Sequence, residues 1–299
     1  MLKHKSKMQN GSKLANIIIY IVAGLCCLIT VYPIYYVLIR SISAPEQALM
    51  GNIFLLPKGL DFNSYKVIFA DSAMWRAYAN TVFYVVATTL LMLLFCVLSA
   101  YPLCMPDLVG KKILVTYLLI PMYFSGGLIP MFLVMNKLHL YNNIWAIILP
   151  GSLSIWNIIL AKTYFASIPD TIRESACIDG ANHLKIMFRI YLPLAKPILA
   201  VISIYTIVIT WNSWFNALVY LPNTALQPLQ LYLRRVLLEN TVDLTKLPMN
   251  EVAEAVKRSL SNVQLKYAMI IFTTLPVLFA YPFFQKHFVK GIMVGSLKG

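Results

Sequence analysis

Charge is scarce in this 299-residue chain: Asp, Glu, Lys and Arg together make up 12%, about half the share carried by soluble domains. Carboxylates are the scarcest, 11 Asp and Glu against 25 Lys and Arg. No Asp, Glu or His converges within the apolar runs, which excludes the acid–base constellation a membrane enzyme needs. Cysteine is limited to five residues. Cys26, Cys27, Cys96 and Cys104 lie inside or at the ends of apolar runs and Cys177 in an amphipathic segment, a spacing that fits neither zinc nor a secreted disulfide framework. The four histidines, His4, His139, His183 and His287, are scattered, so no metal site is expected. A phosphate-cradling G-x4-GK[ST] is also missing: at Gly110-Lys111-Lys112 there is no hydroxyl for Mg²⁺, and Met105 stands where the first glycine should be.

What is there is apolar. The chain is 60% hydrophobic with a mean hydropathy of +0.72. A crossing needs about 20 predominantly apolar residues, and six runs qualify, near 14–39, 77–104, 113–135, 144–165, 198–220 and 267–284. Continuous runs such as NIIIYIVAGLCCLITVYPIYYVLI predict helices and exclude the weak alternation of a membrane barrel. The first run is too long for the core of a cleaved signal and reads as a retained helix. The formal charge of +14 does not indicate nucleic acid, because Lys and Arg fall in the gaps between runs. The basic N-terminal tail (Lys3, Lys5, Lys7, Lys13) and the short loop at Lys111 and Lys112 place both termini in the cytoplasm. Prolines 33, 102, 121, 130, 150 and 276 predict kinks. The piece NEVAEAVKRSLSNV in the second long outer loop reads as amphipathic.

Between the fourth and fifth runs lies SIPDTIRESACIDGANHLKIMFRIYLP. Thr171 and Glu174 have the spacing of a capping box, with Asp170 as a competing cap. Ile172 and Ala176 share one face. Gly180 supplies the turn, and Leu184, Met187, Phe188 and Tyr191 form the apolar stripe of a second helix, with His183, Lys185 and Arg189 outside it. This predicts a helix–turn–helix elbow, apolar toward the bundle and polar outward. Periodicity alone leaves a second reading open, an amphipathic helix lying on lipid.

Glu174, Ser175, Ala176, Gly180, Ile190, Leu192 and Pro193 fit the pattern E-[AS]-A-x3-G-x9-I-x-L-P. Chance produces so many fixed positions on the order of once per ten million starting points. The pattern resembles the coupling loop of type I ATP-binding cassette import permeases, with Ser175 in place of the usual alanine. FSGGLIP, LPGSLSIWNIILAKTYFASIP, LAKPILAVISIYTIVITWNSWFNAL and the tail YPFFQKHFVKGIMVGSLKG extend the resemblance to the maltose-type carbohydrate branch, and most of them to a subgroup for complex oligosaccharides such as pectic or alginate fragments.

The resemblance implies an all-α membrane protein with six transmembrane helices: an N-terminal cytoplasmic tail (1–13), a first transmembrane helix (14–39), a five-helix permease core (77–288) with its coupling loop at 168–193, and a C-terminal cytoplasmic tail (289–299). It implies a bacterial cytoplasmic membrane protein whose partners are a second permease, two ATPase subunits, an extracellular solute-binding protein and an oligosaccharide, with the bilayer around it and no nucleic acid. ATP and Mg²⁺ belong to the ATPase, and this chain binds no cofactor. Glu174, Ser175, Ala176, Asp179, Gly180, Ile190, Leu192 and Pro193 are the implied coupling residues. The tail GIMVGSLKG resembles tails that reach the ATPase.

Polar side chains inside apolar runs face a cavity or a neighbouring helix, which makes Asn80, Asn157, Asn212 and Asn216, with Trp211 and Trp214 beside them, candidates for a sugar path. The same asparagines also suit hydrogen bonds that only hold helices together. Two alternatives compete: a permease for a non-sugar solute, and a channel or membrane enzyme with an accidental elbow.

Overall fold

A computed structural model describes residues 13–51, 53–239 and 262–279. Its first half runs α1 (Lys13–Ser41), α2 (Pro45–Met50), α3 (Asn63–Ala70), α4 (Ser72–Cys104), α5 (Lys111–Tyr123), α6 (Leu128–Lys137), α7 (Trp145–Gly151) and α8 (Ile155–Phe165). The second half runs α9 (Asp170–Ile178), α10 (His183–Ile186), a π-helical turn over Met187–Tyr191, α11 (Leu192–Leu194), α12 (Lys196–Trp211), α13 (Phe215–Tyr220), a 3₁₀ turn over Thr224–Leu226, α14 (Leu229–Glu239) and α15 (Asn262–Phe279). Among the described residues the sole β-type pairing is one isolated bridge, Ser43 to Leu60. An all-helical chain is what the continuous apolar runs predict, since a helix satisfies its own backbone away from water.

Among the described residues, four helices, α1, α4, α15 and the stretch Trp145–Phe165, are long and apolar enough to cross a membrane. Two bent pairs bring the number to six if each is one crossing: Lys111–Tyr123 with Leu128–Lys137, at 115°, and His183–Leu194 with Lys196–Trp211, at 76°.

The run 113–135 is therefore broken rather than straight. Pro121 sits inside α5 and Gly127 takes φ +84°, a conformation open to glycine, while Ser125 Oγ accepts from the Gly127 N–H at 3.2 Å. The run 198–220 is interrupted as well. α12 stops at Trp211, and the Asn212 amide donates to the Val208 carbonyl at 2.8 Å, the local competition that ends helices. The segment 280–284 of the last run, the tail 289–299, residues 1–12 and most of NEVAEAVKRSLSNV lie outside the described residues.

The chain divides into two compact units, Met1–Ala70 with Glu239–Phe272 and Asp71–Leu238 with Thr273–Gly299. In the first, Gln264 is 1% exposed and uses its whole amide: Nε2 donates to the Ser41 and Asp61 carbonyls (3.3 and 2.8 Å), and Oε1 accepts from Ser64 Oγ at 2.9 Å. Arg40 at the end of α1 donates to the Tyr267 hydroxyl at 2.6 Å and lies over the Tyr36 ring at 4.4 Å. The rest of α1 presents exposed apolar side chains from Ile17 to Leu38, as a helix solvated by lipid does.

In the second unit α4 is the central post. Asp71 caps it, accepting from the Ala73 and Met74 N–H groups. Lys111 closes its other end by donating to the Cys104 and Met105 carbonyls at 3.3 and 2.8 Å. α8 and α12 pack along α4, where Ala100, Ala161 and Ala195, all fully buried, allow close approach.

Candidate functional site

The elbow begins where Pro169 precedes α9. Neither the capping box nor the Asp170 cap forms: Pro169 occupies the cap position without a side-chain bond, Thr171 lies inside the helix, and its carbonyl accepts from Ser175 Oγ at 2.8 Å. Pro169 has a fixed φ suited to entering a helix, so the sequence offers a stop before Asp170 that outcompetes the caps. The far end of α9 is well built. The Gly180 N–H bonds to the Cys177 carbonyl and the Ala181 N–H to the Ala176 carbonyl, both at 3.0 Å, with Gly180 at φ +77°, which together form a Schellman closure. Asn182 then caps α10, accepting from the Lys185 N–H at 2.8 Å. That cap was readable as an asparagine just before an apolar-periodic stretch.

Past α10 the backbone widens into the π turn over Met187–Tyr191. Pro193 has no N–H and its ring crowds the carbonyl four residues back, which a wider turn accommodates. The widening moves the apolar face. Ile186, Met187 and Tyr191 are buried with Ile190 packed beside them, but Leu184 is 63% and Phe188 46% exposed. The stripe of Leu184, Met187, Phe188 and Tyr191 is thus corrected to one half of its members. The outer surface is corrected too: it exposes Ile178 at 87% together with Leu184 and Phe188, so it is apolar in patches and not simply polar.

Tyr191 anchors the elbow. It is 1% exposed, meets Tyr101 edge-on at 5.1 Å between ring centroids and leans on the fully buried Phe165 at 5.7 Å. Ala176 is buried against the same cluster. Glu174, Ser175, Asp179 and Gly180 are exposed, Pro193 is exposed, and Ile190 and Leu192 are half-buried. Arg173 stands 3.7 Å from Asp170 and 3.8 Å from Glu174; both carboxylates are largely exposed, so these pairs contribute little.

A cavity of about 550 Å³ opens among α4, α7, α8, α12 and α13. It gathers only two of the six path candidates, Asn157 and Asn216. The Asn157 amide donates to the Met92 sulfur at 3.7 Å, a weak acceptor that leaves most of its capacity unused. Four candidates serve elsewhere. Asn80 donates to the Ala225 and Gln227 carbonyls at 2.8 and 3.1 Å and holds the 3₁₀ turn. Asn212 bonds within its own helix. The Trp211 indole donates to the Thr273 carbonyl at 3.1 Å with Tyr78 edge-on, and Trp214 lies under the Arg234 guanidinium at 3.6 Å.

The residues missed are Ser154, Trp156, Tyr205, Thr210 and Ser213, which line the same cavity. Thr206, Thr210 and Ser213 recur at i, i+4 and i+7 in an otherwise apolar run, a polar stripe that would have located it. Among the described residues, no Lys, Arg, Asp, Glu or His lines this cavity. Hydroxyls, amides and aromatic rings can hydrogen-bond and stack with a polyol.

Known proteins resemble the chain over most of its length. The family described as binding-protein-dependent transport system inner membrane component matches residues 103–294. Protein LplC of Bacillus subtilis (strain 168) is 36% identical over 91% of this chain and 90% of its own length. The polygalacturonan/rhamnogalacturonan transport system permease protein YtcP of the same organism is 35% identical over 96% and 99%. Among solved structures, a chain of a bacterial ABC transporter involved in the import of the acidic polysaccharide alginate superposes with a TM-score of 0.84 at 34% identity, covering 94% of this chain and 98% of that one.

Proposed function

The chain belongs to the family of binding-protein-dependent transport system inner membrane components, and from that premise we propose that it is one of two permease subunits of an ATP-driven carbohydrate importer in the bacterial cytoplasmic membrane. In this reading α5 with α6 makes one crossing and α12 with α13 another, giving six with the four long helices, and both termini face the cytoplasm. A second permease completes the path, an extracellular binding protein delivers the cargo, and two ATPase subunits hold the ATP and Mg²⁺. The cargo is an acidic oligosaccharide of pectic or alginate type, by analogy with the relatives named for such polymers. This chain's cavity meets its hydroxyls and ring faces through Trp156, Asn157, Tyr205 and Asn216, and the carboxylates are neutralised elsewhere.

The observation that carries the reading is the elbow: a projection closed at Gly180 and capped at α10 by Asn182, buried at its base through Tyr191 and exposing Ile178, Leu184 and Phe188 as well as Glu174 and Asp179. Exposed apolar side chains clustered on a rigid projection mark a protein interface. A lipid-lying helix has its apolar side toward the bilayer, whereas here the elbow's buried side already faces the bundle.

Reconstitution of the complete transporter in proteoliposomes tests the assignment. ATP-dependent uptake of oligogalacturonides or alginate oligomers is expected, with Tyr205→Ala lowering it about tenfold, equivalent to ~1.4 kcal/mol. Uptake of amino acids alone, or uptake that needs no ATP, would contradict the proposal.

A further inference from the structure

Beneath the elbow, the last turns of α4, the loop at Asp107 and Leu108, and α10 enclose a second cavity of about 470 Å³. Tyr101, Asp107, Arg173 and His183 reach its lining among apolar neighbours such as Leu98 and Met105. The Tyr101 hydroxyl and His183 Nδ1 are 3.3 Å apart. Arg173 is 14% exposed; it is ion-paired at 3.7 Å with Asp170 and 3.8 Å with Glu174, both largely exposed, and its buried Nε makes no hydrogen bond. A guanidinium held out of water with an open donor calls for an acceptor. Lys111, close by, is occupied by the Cys104 and Met105 carbonyls.

From the same wall opens an apolar groove of about 340 Å³. It shares Pro102 and Leu108 with the cavity and continues between α4 and α5 past Leu103, Leu114, Tyr117 and Leu118.

We propose that cavity and groove together hold one phospholipid, with its phosphate on Arg173, its protonated amine on Asp107 and an acyl chain in the groove. A charged pocket continuous with an apolar groove at the ends of membrane helices selects an amphiphile with a head and a tail. Free phosphate would leave the groove empty, and a hydrocarbon would leave the buried Arg173 Nε without a hydrogen-bond acceptor. Asp107, which lines the same cavity as Arg173, selects the headgroup: it repels an anionic lipid, and it accepts N–H donors that an ethanolamine carries and a choline lacks. Bound there, the lipid ties α10 to the end of α4 and fixes the stance of the elbow.

Binding alone tests this, so a failure leaves the permease assignment untouched. The purified transporter assembly is equilibrated with equal amounts of phosphatidylethanolamine, phosphatidylglycerol and phosphatidylcholine, and retained lipid is read by native mass spectrometry. One phosphatidylethanolamine is expected to be retained, about tenfold over the others, for a difference of one charge-assisted contact. Asp107→Asn, at an exposed position that folding tolerates, is expected to move the preference to phosphatidylglycerol. Arg173→Gln is expected to lose retention that Arg173→Lys keeps, and Ser99→Trp, which fills the groove, to expel the lipid whatever its head. Equal retention of the three lipids, or a preference that Asp107→Asn leaves unchanged, would overturn the proposal.

Discussion

Gly180→Val is expected to abolish ATP-driven uptake while the helical bundle stays folded. Gly180 sits at φ +77°, and a Cβ built on it would meet nothing within 4 Å. The harm is therefore torsional and not steric. The left-handed conformation costs an ordinary L-residue roughly 1–2 kcal/mol, and a β-branched one more. That strain falls on the Schellman closure that sets the angle between α9 and α10, so the closure opens and the exposed face of the elbow loses its shape. Uptake is expected to drop at least about tenfold, since ~1.4 kcal/mol of lost docking suffices. Gly180→Asn, whose side chain tolerates this conformation, is expected to keep most of the uptake. Wild-type uptake by the valine variant would remove the elbow from the mechanism.

Tyr191→Ala is expected to be the most destabilising substitution in the elbow. The ring is 1% exposed and fills the junction between Tyr101, Phe165 and the turn it belongs to. Truncating a large buried aromatic costs about 3–5 kcal/mol, because the cavity it leaves collapses only in part. With its base loosened, the elbow would yield when pushed, and nucleotide hydrolysis would continue without uptake. Thermal unfolding of the detergent-solubilised chain and the ratio of sugar moved to ATP hydrolysed measure the two consequences. Tyr191→Phe keeps the ring and is expected to stay within about 1.5 kcal/mol of the wild type. An unchanged midpoint for the alanine variant would show that the ring anchors nothing.

The elbow's turn was legible because one residue type answers one backbone need: glycine at 180 is what a left-handed closure requires. Its second half was not, because period counting assumes 3.6 residues per turn. The π turn over Met187–Tyr191 shifts the buried face and leaves Leu184 and Phe188 outside. The helix start failed for a similar reason, since Pro169 sets the backbone before Thr171 can cap it.

Long apolar runs fixed the all-helical architecture, yet hydropathy carries no direction, and so the 115° break near Gly127 stayed hidden inside one run. In the cavity, asparagines stood out as strongly polar, but Asn80 spends its amide on two backbone carbonyls. The lining came mainly from Ser, Thr, Tyr and Trp, which sit in apolar helices at low cost and draw little notice there.

Cys177 offers the most direct test of force transmission through the elbow. It is exposed on α9, between Ala176 and Ile178. In the assembled transporter, with Cys26, Cys27, Cys96 and Cys104 replaced by serine, a short thiol-to-amine reagent placed on Cys177 is expected to join this chain to the ATPase subunit. The yield is expected to change between the nucleotide-free and ATP-bound states. No adduct in an intact assembly, or labelling of Cys177 by reagents confined to the lipid phase, would contradict the account.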